Sequence, residues 1–181
     1  MVYWLKTRTR PGSVPKGLIV GAILLVALWV GVGCTPEPLV VAPEVGALAP
    51  DFSVYDLDGK PLALSELRPN PVVLVFWTTQ CPYCREELGM MQAVYEEKAK
   101  EGLAVVAIDV GEDQSTVEPF VESEGYTFAV ALDTERTVSA DYRIERIPAT
   151  FLIDSEGVIQ LIKIGAFASE EEILQKLELI M

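Results

Sequence analysis

The chain has 181 residues, half of them apolar, which is enough for one compact domain with a sizeable core, and nothing in it calls for two. Its formal charge is −13, and because residues 1–34 hold four cations and no acid, the remaining 147 carry about −17, a surface that repels phosphate backbones and counts against nucleic-acid binding. There is no histidine, which excludes Ser/His/Asp and Cys/His catalysis and zinc sites with His ligands, and three cysteines are too few for a disulfide scaffold or a four-Cys zinc site.

From Gly17 to Gly33 the run GLIVGAILLVALWVGVG has no charged or strongly polar residue, and Lys6, Arg8, Arg10 and Lys16 precede it. At about 1.5 Å per residue it falls slightly short of the roughly 30 Å bilayer core, and extension to Val14 and Cys34 makes a span possible. The cationic flank keeps the N-terminus in the cytoplasm and exports everything after residue 34. Residues 1–34 are therefore read first as a retained membrane anchor, second as a lipoprotein-type signal acylated at Cys34, and third as a cleaved signal peptide. The ending GVGC resembles a bacterial lipobox in Gly33 before Cys34, but Gly31 stands where an aliphatic residue is usual.

Pro36, Pro38, Pro43 and Pro50 interrupt the stretch that follows and favour extended geometry, so residues 35–46 read as a tether and residues 47–181 as the folded domain. Within the domain, DFSVYDLDGKPLAL carries a turn signal at Asp58 and Gly59 between two short extended pieces, a hairpin-like opening. PVVLVFW is a continuous apolar run of the kind that a strand buried on both faces shows. CREELGMMQAVYEEKAKEG then places Leu88, Met91, Tyr95 and Ala99 at helical spacing and stops at Gly102.

LAVVAIDV predicts a second buried strand, residues Thr116 to Glu124 a helix whose start Pro119 obscures, and FAVALD a short extended piece. TERTVSADYR reads as a helix capped by Thr134. ATFLID and VIQLIKIG read as strands about the turn at Ser155 to Gly157, and a last helix starts at Ser169, which has capping-box spacing to Glu172. Alternating strands and helices with a terminal hairpin predict an α/β domain with a mixed central sheet flanked by helices.

Cys81 and Cys84 lie where the first buried strand gives way to a helix. Unpaired N–H groups and the helix dipole at that point stabilise a thiolate, and Pro82 suits the first helical position. Cys84, one turn further in, faces the same side and can close a small ring, so an exposed acidic thiolate with a resolving partner behind it suits a redox couple. Two other readings stay open: a static disulfide, which across so short a loop contributes little stability, and a Cu(I) clip completed by Met90 or Met91.

FWTTQCPYC followed about 60 residues later by RIPATFLIDSEG resembles the thioredoxin fold, and more closely its membrane-tethered TlpA/ResA branch of thiol-disulfide oxidoreductases. The resemblance covers residues 47–181, including the opening hairpin and the extra helix after the second core strand. It implies Cys81 as nucleophile, Cys84 as resolving thiol and Pro148 as a cis-proline that leaves the Ile147 backbone free to pair with a substrate strand. Trp77 matches the aromatic of the family's Phe-Trp pair, as an apolar wall or with a chemical role.

Glu87 falls where that branch often keeps a glutamate, either relaying a proton to or from the resolving thiol or solvated like Glu86 and Glu96. Three departures matter: Gln80 replaces the usual Trp before the first Cys, Val75 replaces the acid that thioredoxin buries, and Pro82-Tyr83 predicts a potential less reducing than thioredoxin's. The implied function is a disulfide reductase outside the cytoplasmic membrane, with no cofactor beyond the Cys81–Cys84 couple. Its substrates would be disulfides of exported proteins, apocytochrome c among them, and its electrons would come from a membrane-embedded dithiol carrier. Absence of a histidine between the cysteines supports reductase over oxidase. Rivals are a peroxiredoxin-like peroxidase, favoured by Thr78 three residues before Cys81 but lacking the expected proline at Leu74, and a non-enzymatic Cu(I)-binding module.

Overall fold

The computed structural model describes residues 40–181, so the apolar segment read as an anchor, Cys34 and the first part of the tether lie outside the described residues. Among the described residues no helix is long and apolar enough to cross a membrane. Residues 40–46, expected to be tether, are hydrogen-bonded to the domain: Val41 bridges to Leu48, Leu48 bridges to Val158, and the Gly46 amide donates to the Ile159 carbonyl at 2.8 Å. Extended Pro-rich chain leaves its backbone groups unpaired, and here an exposed sheet margin takes them up.

The opening hairpin is β1 (Ser53–Tyr55) paired antiparallel with β2 (Pro61–Ala63). Its turn is held by the Asp56 carboxylate, which accepts the Lys60 amide at 2.8 Å, and by Gly59 at φ +75°, a conformation that a side chain would disfavour. The central sheet contains β3 (Val72–Trp77), β4 (Ala104–Val110), β5 (Ala129–Asp133), β6 (Ala149–Ile153) and β7 (Ile159–Ile164), in the order β5-β4-β3-β6-β7. β3, β4 and β5 run parallel, and β6 and β7 are each antiparallel to the strand before them in that order. The mixed sheet with an antiparallel margin is therefore as expected.

All six residues of β3 are buried, because helices or loops cover both of its faces. Odd-numbered residues Val73, Val75 and Trp77 join Leu88, Met91 and Val94 of α1 (Pro82–Lys98), Val117 and Val121 of α2 (Gln114–Glu124), and Ile173 and Leu177 of α4 (Glu170–Leu177). Even-numbered Val72, Leu74 and Phe76 join Phe52, Leu64, Val138 of α3 (Thr137–Asp141) and Tyr142, which follows it. Period-two alternation thus divides one apolar strand between two cores. The Tyr142 hydroxyl donates to the Pro50 carbonyl at 2.7 Å and ties the second core to the opening segment.

Two helix starts and half of one capping box differ from expectation. α2 starts at Gln114 rather than Thr116, and Pro119 lies inside it on the exposed side, where its missing N–H faces water. α3 is a single short turn whose cap is not Thr134. The Asp133 carboxylate, at the end of β5, accepts the amides of Val138 at 3.1 Å and Ser139 at 2.7 Å, while Arg136 takes the left-handed conformation that lets the chain turn back. At α4 the Ser169 hydroxyl accepts the Glu172 amide as the spacing predicts, but the Glu172 carboxylate reaches back to the Ala168 amide at 2.7 Å instead of to Ser169.

Because Asp133 is buried and supplies both oxygens to α3, Asp133→Ala should cost about 1 to 2 kcal/mol, the scale of a lost helix cap. Urea unfolding measures it, and a variant as stable as the parent would show that the turn holds without this carboxylate.

Candidate active site at the start of α1

The chain leaves the sheet at Trp77 and enters α1 at Pro82, with Cys81 as the N-cap. Cys81 Sγ accepts the Cys84 amide at 3.2 Å, so one of the donors left unpaired at a helix start points at sulfur. Pro82 occupies the first helical position. The two cysteines are joined as a disulfide with Cα atoms 5.2 Å apart. Cys81 is half-buried, and Cys84 is wholly enclosed by the α1 core. The two sulfurs therefore differ in access, the outer one reachable from solvent and the inner one reachable through its partner.

Ile147-Pro148 is a cis peptide bond. Ala149 pairs with Phe76, which brings Pro148 level with Trp77 at the sheet end from which Cys81 departs. Pro148 is buried, and its carbonyl accepts the Gly165 amide at 2.8 Å. Ile147 is half-buried and packs, as Cys81 does, on the α1 side of the sheet. Among the described residues its amide and carbonyl have no backbone partner. Trp77 is fully buried with its ring 5.6 Å from Phe120, so it is wall beneath the site and not a surface that a substrate touches. Tyr83 is 67% exposed beside the cysteines.

Glu87 is not solvated as Glu86 and Glu96 are; it is completely buried, one helical turn beyond Cys84 on the same inward face. The Thr150 hydroxyl donates to its Oε1, while its Oε2 has no partner of hydrogen-bonding geometry. Thr150 pairs with Val75 on one side and Lys163 on the other, so the carboxyl sits over the sheet row that begins with Val75. The acid missing from the strand is thus supplied by the helix that covers it.

Burial pushes the Glu87 carboxyl up to about 7, against the opposing pull of the Thr150 hydroxyl, the Phe167 amide and the Lys163 charge. Lys163 is itself held over the Phe167 ring at 5.4 Å and against Glu172 at 3.2 Å.

The sequence did not single out Thr150, Lys163 or Phe167, and marked Glu172 only as a helix cap; they come from β6, β7, the loop after it and α4, and meet Glu87 only in the fold. A second carboxyl group, Asp109 with Glu112, adjoins the Thr79 segment ahead of Cys81. Its one signal was a lone acid inside the apolar run of β4. Of the methionines considered as metal ligands, Met91 is enclosed in the core and Met90 half-buried, and among the described residues no group of three His, Cys, Asp or Glu side chains converges on a metal position.

Clefts of about 460, 420 and 300 Å³ lie at α1 and α4, at the opening hairpin and α2, and at α3, and none is lined by Cys81, Cys84 or Pro148. Exposed Gln80, Pro82 and Tyr83 flank the half-buried Cys81, a rim that suits contact with another protein.

The chain matches the AhpC/TSA family over residues 45–162. It is 36% identical over 169 residues to the thiol-disulfide oxidoreductase ResA of Geobacillus thermodenitrificans, covering 90% of this chain and 95% of that protein. Among solved structures it resembles a thiol:disulfide interchange protein of the thioredoxin family from Chlorobium tepidum, with a TM-score of 0.67, 28% identity, and 75% of this chain and 96% of the other covered. It also resembles StoA from Bacillus subtilis, with a TM-score of 0.62, 26% identity, and coverage of 72% and 97%.

An unfolded glutamate ionises near pH 4.5 and Glu87 only at about 7, so between those values the unfolded chain releases a proton that the folded one keeps, and stability falls as pH rises. Relative to Glu87→Gln, the parent should lose about 3 kcal/mol across that window, read by urea unfolding at pH 4 and pH 8. Lys163→Met should move the Glu87 midpoint upward, because an attractive cation is removed; carboxyl-carbon NMR would follow it. An unmoved midpoint would detach Lys163 from this site.

Proposed function

This chain belongs to the AhpC/TSA family and is a thioredoxin-like thiol-disulfide oxidoreductase of the ResA and StoA type, and from that premise we propose that it reduces disulfides of exported proteins outside the cytoplasmic membrane. The observation that carries the reading is the asymmetry of the couple: a reachable Cys81 at the tip of α1, an enclosed Cys84 behind it, and a buried carboxyl one turn further on.

In the reduced protein the Cys81 thiolate attacks one sulfur of a substrate disulfide. A mixed disulfide forms and the substrate's other sulfur leaves as a thiolate that takes a proton from water. Cys84 then gives its proton to the Glu87 carboxylate and attacks Cys81 Sγ. The second substrate sulfur is released as a thiolate that takes a proton from water, and two electrons have passed from the couple to the substrate as the Cys81–Cys84 disulfide closes. A carboxyl that ionises at about 7 is matched to this transfer at neutral pH. The unpaired backbone of Ile147 beside Pro148 offers a short edge on which an extended substrate segment can pair, and Tyr83 and Gln80 form the exposed rim.

The N-terminal apolar segment tethers the domain to the membrane, and a membrane-embedded dithiol carrier restores the couple. Apocytochrome c, with its paired cysteines, is the substrate class that the ResA resemblance suggests.

Insulin reduction with dithiothreitol as donor tests the chemistry. Cys81→Ser should abolish turnover, and Cys84→Ser should accumulate a mixed disulfide between Cys81 and substrate, visible on a non-reducing gel. Turnover that survives Cys81→Ser would overturn the assignment, and peroxide-dependent turnover in place of disulfide reduction would favour the peroxidase.

A further inference from the structure

β4 ends beside β3, with Asp109 in register with Trp77, and the chain leaving β3 runs through Thr78, Thr79 and Gln80 to Cys81. Asp109 is completely buried. Its Oδ1 accepts the Glu112 amide at 2.9 Å, and its Oδ2 is buried with no donor among the described residues. Glu112 turns toward the exit of the neighbouring strand. Its carboxylate accepts the Thr79 amide at 2.6 Å and the Thr79 hydroxyl at 2.8 Å. One acid therefore ties the segment two residues ahead of the nucleophile to the end of β4, and a second, deeper acid holds the loop that carries the first.

We propose that Asp109 is a positioning residue for Cys81: it holds a proton that it donates to the Glu112 carboxylate, and this shared proton keeps Glu112 on Thr79 and fixes the backbone leading into the nucleophile. The inference rests on the oxidoreductase reading of Cys81 given above. Two carboxylates facing each other in a buried site repel, and an oxygen without a donor is left unsatisfied; one proton between them removes both costs. Burial and the hydrogen bond with Glu112, with the Glu112 charge behind them, push Asp109 up to about 8, whereas for Glu112 burial is outweighed by bonds from Asp109, Thr79 and Gln80, which hold it below the usual carboxylate range.

The other charged groups facing the pair do not replace that proton. Asp133 on β5 adds negative charge, with its oxygens already engaged by the amides of α3. The Arg136 guanidinium packs against Gly111 of the intervening loop and makes no ion pair with either acid. From β3 Trp77 is in register with Asp109, its indole Nε1 buried without a hydrogen-bond partner among the described residues, and α2 buries Val117 and Val121.

As pH rises past the Asp109 midpoint the second charge appears, the less buried Glu112 moves toward water, and Thr79 is released. The oxidised full-length protein isolates this event, since neither Cys81 nor Cys84 can titrate in it. The Thr79 amide resonance should shift upfield with a midpoint near 8 as its bond to Glu112 is lost. Asp109→Asn, whose amide can donate to Glu112 at every pH, should give a flat Thr79 titration and hold insulin reduction at alkaline pH where the parent's falls severalfold. Glu112→Gln, which removes the partner charge, should move the Asp109 carboxyl-carbon midpoint down.

A Thr79 amide that does not titrate in the parent, or that titrates identically in Asp109→Asn, would overturn the proposal. Absence of turnover in the parent would overturn the reductase reading instead and leave the Thr79 titration in place.

Discussion

The hydrogen bond from the Cys84 amide to the Cys81 sulfur is the interaction on which the site depends, because it exists only if the chain stops being strand and starts being helix within four residues of Trp77. β3 delivers the chain to that point and is anchored on both faces, so its end cannot drift. Pro82 begins the helix without wasting a donor, and the Cys84 amide of the first turn then faces sulfur. The same α1 that presents Cys81 at its tip encloses Cys84 one turn lower. Access and concealment of the two sulfurs are consequences of one helix lying on one sheet.

That arrangement also explains why the acids of the site lie off β3. A strand buried on both faces has no room for an unpaired charge. The carboxyls come from its neighbours: Glu87 from the helix above, bonded at one oxygen by Thr150 on β6, and Asp109 from β4, bonded at one oxygen by the Glu112 amide, while the second oxygen of each is buried without a partner among the described residues. They occupy different places along the approach to the couple. Glu87 lies on the face of α1 that holds Cys84, whereas Asp109 and Glu112 govern the segment that precedes Cys81.

Most of this fold was legible in the chain because β3 and β4 are uninterrupted apolar runs and α1 has inward residues at helical spacing. The sulfur couple was legible for the same reason, since its position at a strand-to-helix junction follows from local pattern. What escaped depended on burial and on partners that local pattern does not show. Thr134 looked like a cap because it precedes a helical pattern, but Asp133 is buried and aimed at two amides, and the longer helix gave way to one turn. The Pro-rich stretch before Ala47 looked like free tether because nothing local shows that the margin near Val158 and Ile159 would pair with it. Glu87 could be placed on a helix from sequence, yet whether it faced water or core depended on Thr150, 63 positions away.

The absence of histidine gives these buried acids their meaning. A chain that moves protons to and from thiols near neutral pH needs groups that ionise there, and imidazole is the usual one. With none available, a carboxyl must be raised by two or more units, and burial is the means this fold uses. Glu87 is moved to about 7 mainly by exclusion from water, and Asp109 to about 8 by the same exclusion reinforced by Glu112. Each shift works against stability as pH rises, because the unfolded chain would ionise these groups freely. The domain tolerates that cost beside the couple, and the one other buried acid among the described residues, Asp133, is engaged by the amides of α3.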